Sequence, residues 1–219
     1  MLLLIFALPE EARAVRRRIR WTAPEAGIPR GTFAGQDVSL GFVGIGGAGI
    51  SKVERTMELI QPGMVISSGF AGATRSLLEA GDFVLSTNYT DPEIGKLLSQ
   101  KKIADATGPF VQVGKVASGS DKWSLNRSLG SVVVDMESAM IANLCQKKQV
   151  PLVTARMISD AIDESIPAIF VGKKISRVGE VGDAAIFAGR MLGLIGKLAD
   201  RLEVLVAAVA AIPGRGDAL

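Results

Sequence analysis

The chain has 219 residues, 48% of them hydrophobic and 5% aromatic, with 25 lysines and arginines against 22 acids for a net charge of +3. That length and apolar content suit one domain around a single core, and so weak a charge gives no electrostatic case for a nucleic-acid partner. There is no histidine and one cysteine, which excludes Ser-His-Asp catalysis, histidine-activated thiols, the common zinc sites and a disulfide framework. Proton transfer must therefore fall mainly to carboxylates.

In chain order, Leu2 to Ala7 reads as a buried strand, and Pro9-Glu10-Glu11 opens a helix at a point where proline and acids are favoured. Ala12, Val15 and Ile19 give that helix its inward face. Glu10 and Glu11 then stand at the carboxyl end of a strand, either as complements to a helix dipole or as part of a site. Arg16, Arg17, Arg18 and Arg20 read as a solvated helix face, with peripheral contact to an anionic membrane as an unsupported alternative. The apolar run from Met1 to Leu8 is short, and its positive charge comes after it instead of before it, unlike a secretory signal. Val204 to Ile212 covers only about half of a bilayer crossing. A soluble, cytoplasmic protein is the expectation.

Val38 to Val43 reads as a strand, and Gly44-Ile-Gly-Gly-Ala-Gly49 leads from it into an amphipathic helix from Ile50 to Ile60. Taken alone this is a GxGxxG fingerprint and raises an NAD-binding oxidoreductase as a rival. The rival needs an acid at the end of the next strand, but Met64 to Ile66 runs into Ser67-Ser68-Gly69. Gly44, Gly46 and Gly47 better suit backbone approach to an anion or a sugar at the helix N-terminus; with no Gly-Lys-Ser/Thr, a Walker A loop is excluded. Ser68-Gly-Phe-Ala-Gly72 is a second glycine-bearing strand end, and Gly81-Asp82 introduces a strand ending at Ser86.

Val132 to Val134 is a short β-branched run that ends on Asp135, Glu137 and Ser138. A helix comes next, with Met140, Ile141, Leu144 and Cys145 on one stripe. Pro151 starts a second apolar run, Leu152 to Ile158, which discharges into Ser159, Asp160 and Asp163. Strand, helix and strand in this spacing predict a βαβ unit with a right-handed crossover, which would bring Glu137 and Asp160 to one sheet edge and one crevice. The bland alternative is that Asp135 and Ser138 cap the helix, Asp160 caps the next element of the chain, and Arg156 pairs with one of them. Asp183 to Ala211 predicts a long helix covering the sheet, and Pro213 to Leu219 a frayed end.

Val134-Asp-Met-Glu-Ser138 followed by Ala155-Arg-Met-Ile-Ser-Asp160 resembles the paired signature of the nucleoside phosphorylase and nucleosidase superfamily. That group includes methylthioadenosine/S-adenosylhomocysteine nucleosidases, futalosine hydrolases and hopanoid-associated phosphorylases. The resemblance spans residues 2–163, with a gap in the middle. It implies a single three-layer α/β/α domain over residues 1–219 with a mixed central sheet, a homo-oligomer, and no cofactor or metal. The implied reaction cleaves the N-glycosidic bond of a purine, adenosine-type nucleoside.

By position, the resemblance makes Glu11 the water-activating residue and Asp160 the acid that protonates the purine. Glu137 would hold the ribose hydroxyls and Met136 would pack on the sugar. Asp135, Ser159 and Arg156 would complete that wall, with Arg156 orienting Asp160. Phe70, Ala71 and Gly72 would form a small-residue loop beneath the nucleoside, and Trp123, in a loop from Ser118, would lie against the base. Three departures stand out. Pro9 replaces an acid, Phe70 replaces a small polar residue, and residues 88–116 are shorter than a segment that shapes the pocket and subunit contact in relatives. Glu11 favours water as acceptor, while the DMES and ISDAIDESIP forms are closer to the hopanoid-associated phosphorylases, implying inorganic phosphate as co-substrate and a lipid-linked adenosine. A non-catalytic nucleoside-binding protein is the third alternative.

Overall fold

The computed structural model describes residues 1–167 and 178–212, with the backbone alone for 178–181. The expected frayed end at 213–219 lies outside the described residues. The strands are β1 (Leu2–Phe6), β2 (Arg20–Trp21), β3 (Gly31–Phe33), β4 (Gln36–Phe42), β5 (Met64–Ser67), β6 (Phe70–Ala73), β7 (Phe83–Ser86), β8 (Ala106–Gly108), β9 (Phe110–Gln112), β10 (Val133–Asp135) and β11 (Leu152–Asp160). The helices are α1 (Arg13–Arg18), α2 (Ile50–Ile60), α3 (Pro92–Gln100), α4 (Gly119–Leu129), α5 (Ser138–Lys148) and α6 (Val178–Ala210).

Strand β1 shows why the sheet is the middle layer. All five of its residues are at most 1% exposed, because alternate side chains enter different cores. Leu2, Leu4 and Phe6 pack with Val15 of α1, Ile94 of α3 and Leu202 of α6, whereas Leu3 and Ile5 pack with Met57 of α2 and Ile141 of α5. A continuous apolar run is what a strand covered on both faces requires, and each such side chain contributes about 1.5–3 kcal/mol of burial. Cys145 belongs to the second core, where burial pushes its thiol up to about 12. The mixed central sheet flanked by helices agrees with the expected architecture. Among the described residues no helix is long and apolar enough to cross a membrane.

The sheet runs β2-β3-β4-β1-β5-β11-β6-β10-β9 and forks at β11. The first half of β11 pairs with β5 in parallel, and its second half pairs with β6 in parallel and with β7 antiparallel. This overturns the predicted βαβ unit. Strand β6 lies between β10 and β11, and β10 runs antiparallel to β6. Strand, helix and strand are all present in the expected spacing, but a pairing partner inserted from earlier in the chain reverses the geometry.

Three helix starts also differ from expectation. Residues 9–12 form turns, and α1 begins only at Arg13, with no side-chain cap on Ala12; Glu11 is instead turned inward. The Ser118 to Trp123 stretch is not a loop, because Ser118 and Asp121 form a capping box that starts α4. The expected loop at 68–72 is largely strand β6. Helix α6 begins five residues before Asp183, and Arg18 ties it to α1 through Asp200 at 2.7 Å.

Candidate active site

Five carboxylates line one cavity of about 450 Å3: Glu10 and Glu11 from the turn after β1, Asp135 at the end of β10, Glu137 between β10 and α5, and Asp160 at the end of β11. Phe70, Ala71, Gly72, Lys122, Met136 and Ser159 line it as well. Apolar lining comes from Leu8, Ile45, Val113, Val116, Phe187, Met191 and Ile195, with Lys115 also on the wall.

Glu11 is held by backbone alone. Its Oε2 accepts from the amides of Ala7 at 3.0 Å and Leu8 at 3.1 Å, and its Oε1 from Phe70 at 3.3 Å. Burial pushes its carboxyl up to about 7, against the pull of those amides and of the Arg156 charge, with Glu137 reinforcing the rise. The space it occupies exists because residue 69 is glycine. Its φ is +140°, and a Cβ there would stand 2.9 Å from Glu11 Oε2.

Glu137 is 8% exposed and accepts from the Gly46 amide at 2.9 Å. Burial raises its pKa, and the Asp135 charge adds to that, while the Gly46 amide and Arg156 oppose it. The glycine loop therefore does a different job from the one expected. Gly44 donates to Ala7 O at 2.9 Å, Gly47 to Gly44 O at 3.0 Å, and Gly46 to Glu137. These three amides are committed within the protein, and the Gly46 amide holds a carboxylate.

Arg156 also departs from its expected role. It is 2% exposed and sits behind the wall, with Nη2 3.0 Å from Asp135 Oδ2, donating also to Ser67 Oγ at 3.1 Å and Ser138 Oγ at 3.0 Å. It orients Asp135, not Asp160. Asp135 also accepts from the Ser138 amide at 3.2 Å, so the bland capping role holds for it even though it lines the cavity.

The cation on Asp160 is Lys122, a residue to which no sequence motif points. Lys122 is 1% exposed; its Nζ donates to Asp160 Oδ2, to Ala161 O at 2.6 Å and to Glu164 O at 2.8 Å. Asp160 Oδ1 accepts from Ser159 Oγ at 2.5 Å. A register shift between Ile158 and Asp160, where β11 meets β6, lets the consecutive residues Ser159 and Asp160 both line the cavity. The available sequence signal is the Ser118 to Asp121 spacing, which starts a helix and sends neighbouring side chains about 100° apart. Trp123, next to Lys122, accordingly faces away. It is 41% exposed in a separate surface hollow with Ser120, Ser124 and Arg127, so it does not lie against a ligand in the cavity.

Known proteins resemble the chain in sequence and in fold. Residues 88–186 match the model of the phosphorylase superfamily. A 5′-methylthioadenosine/S-adenosylhomocysteine nucleosidase of Haemophilus influenzae is 30% identical over 168 residues, covering 62% of this chain and 73% of that protein. The nucleosidase of the same name from Buchnera aphidicola is 29% identical, covering 64% and 74%. Among solved structures, the S. pneumoniae nucleosidase with a transition-state inhibitor superposes with a TM-score of 0.73 at 18% identity, over 95% of this chain and 99% of that one. Futalosine hydrolase of Helicobacter pylori superposes with a TM-score of 0.71 at 18% identity, over 94% and 96%. From its sequence relatives, its matching fold and its paired motif, the chain belongs to the nucleoside phosphorylase and nucleosidase superfamily.

Proposed function

We propose that this protein cleaves the N-glycosidic bond of an adenosine-type nucleoside and releases the base, with water as the attacking group. The observation that carries this is the convergence of Glu11, Glu137 and Asp160 on one cavity, with Glu11 poised near neutrality. Breaking the bond develops positive charge on the ribose and negative charge on the base, so carboxylates near the sugar and an acid at the base stabilise the transition state more than the ground state. A general base works best when its pKa lies near the working pH. Glu11 meets that condition, and it lines the same cavity as Asp160, which would meet the purine. Glu137 accepts hydrogen bonds from the ribose hydroxyls, and Met136 packs on the sugar.

The apolar side chains that line the cavity, among them Leu8, Ile45, Val113, Phe187, Met191 and Ile195, suit a nucleoside whose 5′ position carries an apolar group instead of a bare hydroxyl. Water is preferred over phosphate because the amides of Gly44, Gly46 and Gly47 are already spent and a carboxylate stands at the attack side. The test is base release from 5′-substituted adenosines with and without inorganic phosphate. Release independent of phosphate supports hydrolysis. Release that requires phosphate and yields a ribose 1-phosphate overturns the choice of acceptor, and no release from any of them overturns the activity.

A further inference from the structure

We propose that Lys122 is the proton source for the departing base, acting as a positioning residue through Asp160; this rests on the glycosidic cleavage proposed above. A lysine almost never lies 1% exposed unless it is fully paired. Lys122 is paired to capacity, because its ammonium has three N–H groups and the structure supplies three acceptors, Asp160 Oδ2 and the carbonyls of Ala161 and Glu164. It therefore has no proton to spare for an anionic co-substrate.

Asp160 and Lys122 form an ion pair, and a carboxylate in such a pair has no proton of its own to give to a purine. The donor set resolves this. When Lys122 passes one proton to Asp160, the neutral amine keeps two N–H groups for the two carbonyls and turns its lone pair to the new carboxyl O–H. The same oxygens thus satisfy both protonation states, and no group needs to move. A cavity closed by substrate favours the neutral pair, because charges lose more than neutral groups on leaving water.

In the reaction the C1′–N9 bond breaks and its electron pair goes to the base. A base nitrogen takes the proton from Asp160, which has received it from Lys122. The water oxygen bonds to C1′, and its proton goes to Glu11. Glu11 then releases that proton to solvent and Lys122 takes one up as products leave, so nucleoside plus water gives base plus pentose. Arg156 could not serve in this way, since a guanidinium does not give up its proton in a protein.

The experiment compares Lys122→Met and Lys122→Arg with the wild type on 5′-methylthioadenosine and on 4-nitrophenyl riboside, whose phenolate leaves without a proton. Both variants should lose about 100-fold in kcat for the purine substrate with KM within about threefold, a general-acid effect, and Lys122→Met should lose far less on the nitrophenyl substrate. Equal losses of Lys122→Met on both substrates, or a Lys122→Arg variant that matches the wild type on the purine, would overturn the proposal in favour of a structural counter-charge. A wild type that releases no adenine overturns the activity itself.

Discussion

Two buried ion pairs stand in the same wall, and their difference shows what each cation can do. Arg156 with Asp135 and Lys122 with Asp160 are all at most 5% exposed, and both cations are also bonded to neutral oxygens. Arg156 is bound to two hydroxyls and to the Ala155 carbonyl and lies behind the cavity lining, where its fixed charge lowers the pKa of both Glu11 and Glu137. Lys122 is bound to two backbone carbonyls at the end where the base would leave. The first pair sets a field, and the second can exchange a proton.

Asp160→Asn should be the most damaging change to turnover, by about 100- to 10,000-fold, with the far-UV circular dichroism of a folded protein. An active, folded variant would remove Asp160 from the chemistry. Arg156→Met should be the most damaging to stability, by about 3–5 kcal/mol, because Asp135 is left buried without its partner. In that variant the Glu11 pKa should also move above about 7, since the Arg156 charge pulls it down. Urea unfolding and the pH–rate profile read the two effects separately, and an unchanged pH midpoint would dissolve the distinction between the pairs.

Glu11 offers a pH test of the same field. Its carboxyl holds a proton up to about 7 in the folded state and to 4.5 in its ordinary state. Between those values the unfolded chain binds fewer protons, so stability is fully present below 4.5 and falls as pH rises through about 7, by up to about 3 kcal/mol. Glu137 is raised too and acts in the same direction. Thermal unfolding of Glu11→Gln across this range should show a flatter profile than the wild type, and an identical profile would mean that Glu11 is not the group responsible. Turnover should show the opposite trend, rising with pH as Glu11 ionises.

Smaller effects mark the edges of the site. Gly69→Ala combines a φ that L-residues avoid with a Cβ against Glu11, so a loss of about 1–3 kcal/mol is expected, together with a displaced base and reduced turnover. If this variant unfolds at the wild-type midpoint, Glu11 does not depend on that glycine. Trp123→Ala should change stability by no more than about 0.5 kcal/mol, as an exposed position away from the cavity, and should leave KM unchanged. A clear rise in KM would return Trp123 to the site.

Local sequence was enough to specify the buried strands, the helix from Ile50 to Ile60 and the inward faces of α1 and α5, and it put acids at the strand ends, from which the family resemblance singled out Glu11, Glu137 and Asp160. These are legible because apolar periodicity and the residues at strand ends report on their own few neighbours. Which cation serves which acid was settled at the level of the folded chain. Lys122 reaches Asp160 across 38 residues, and Gly46 reaches Glu137 across 91. Such contacts depend on strand direction, on the bulge at Ser159 and on the rotation of α4, none of which local spacing encodes. The reversed direction of β10 shows the same limit. Glu137 and Asp160 do line one cavity as their motifs implied, but β6, inserted between the strands that carry them, is what sets that wall.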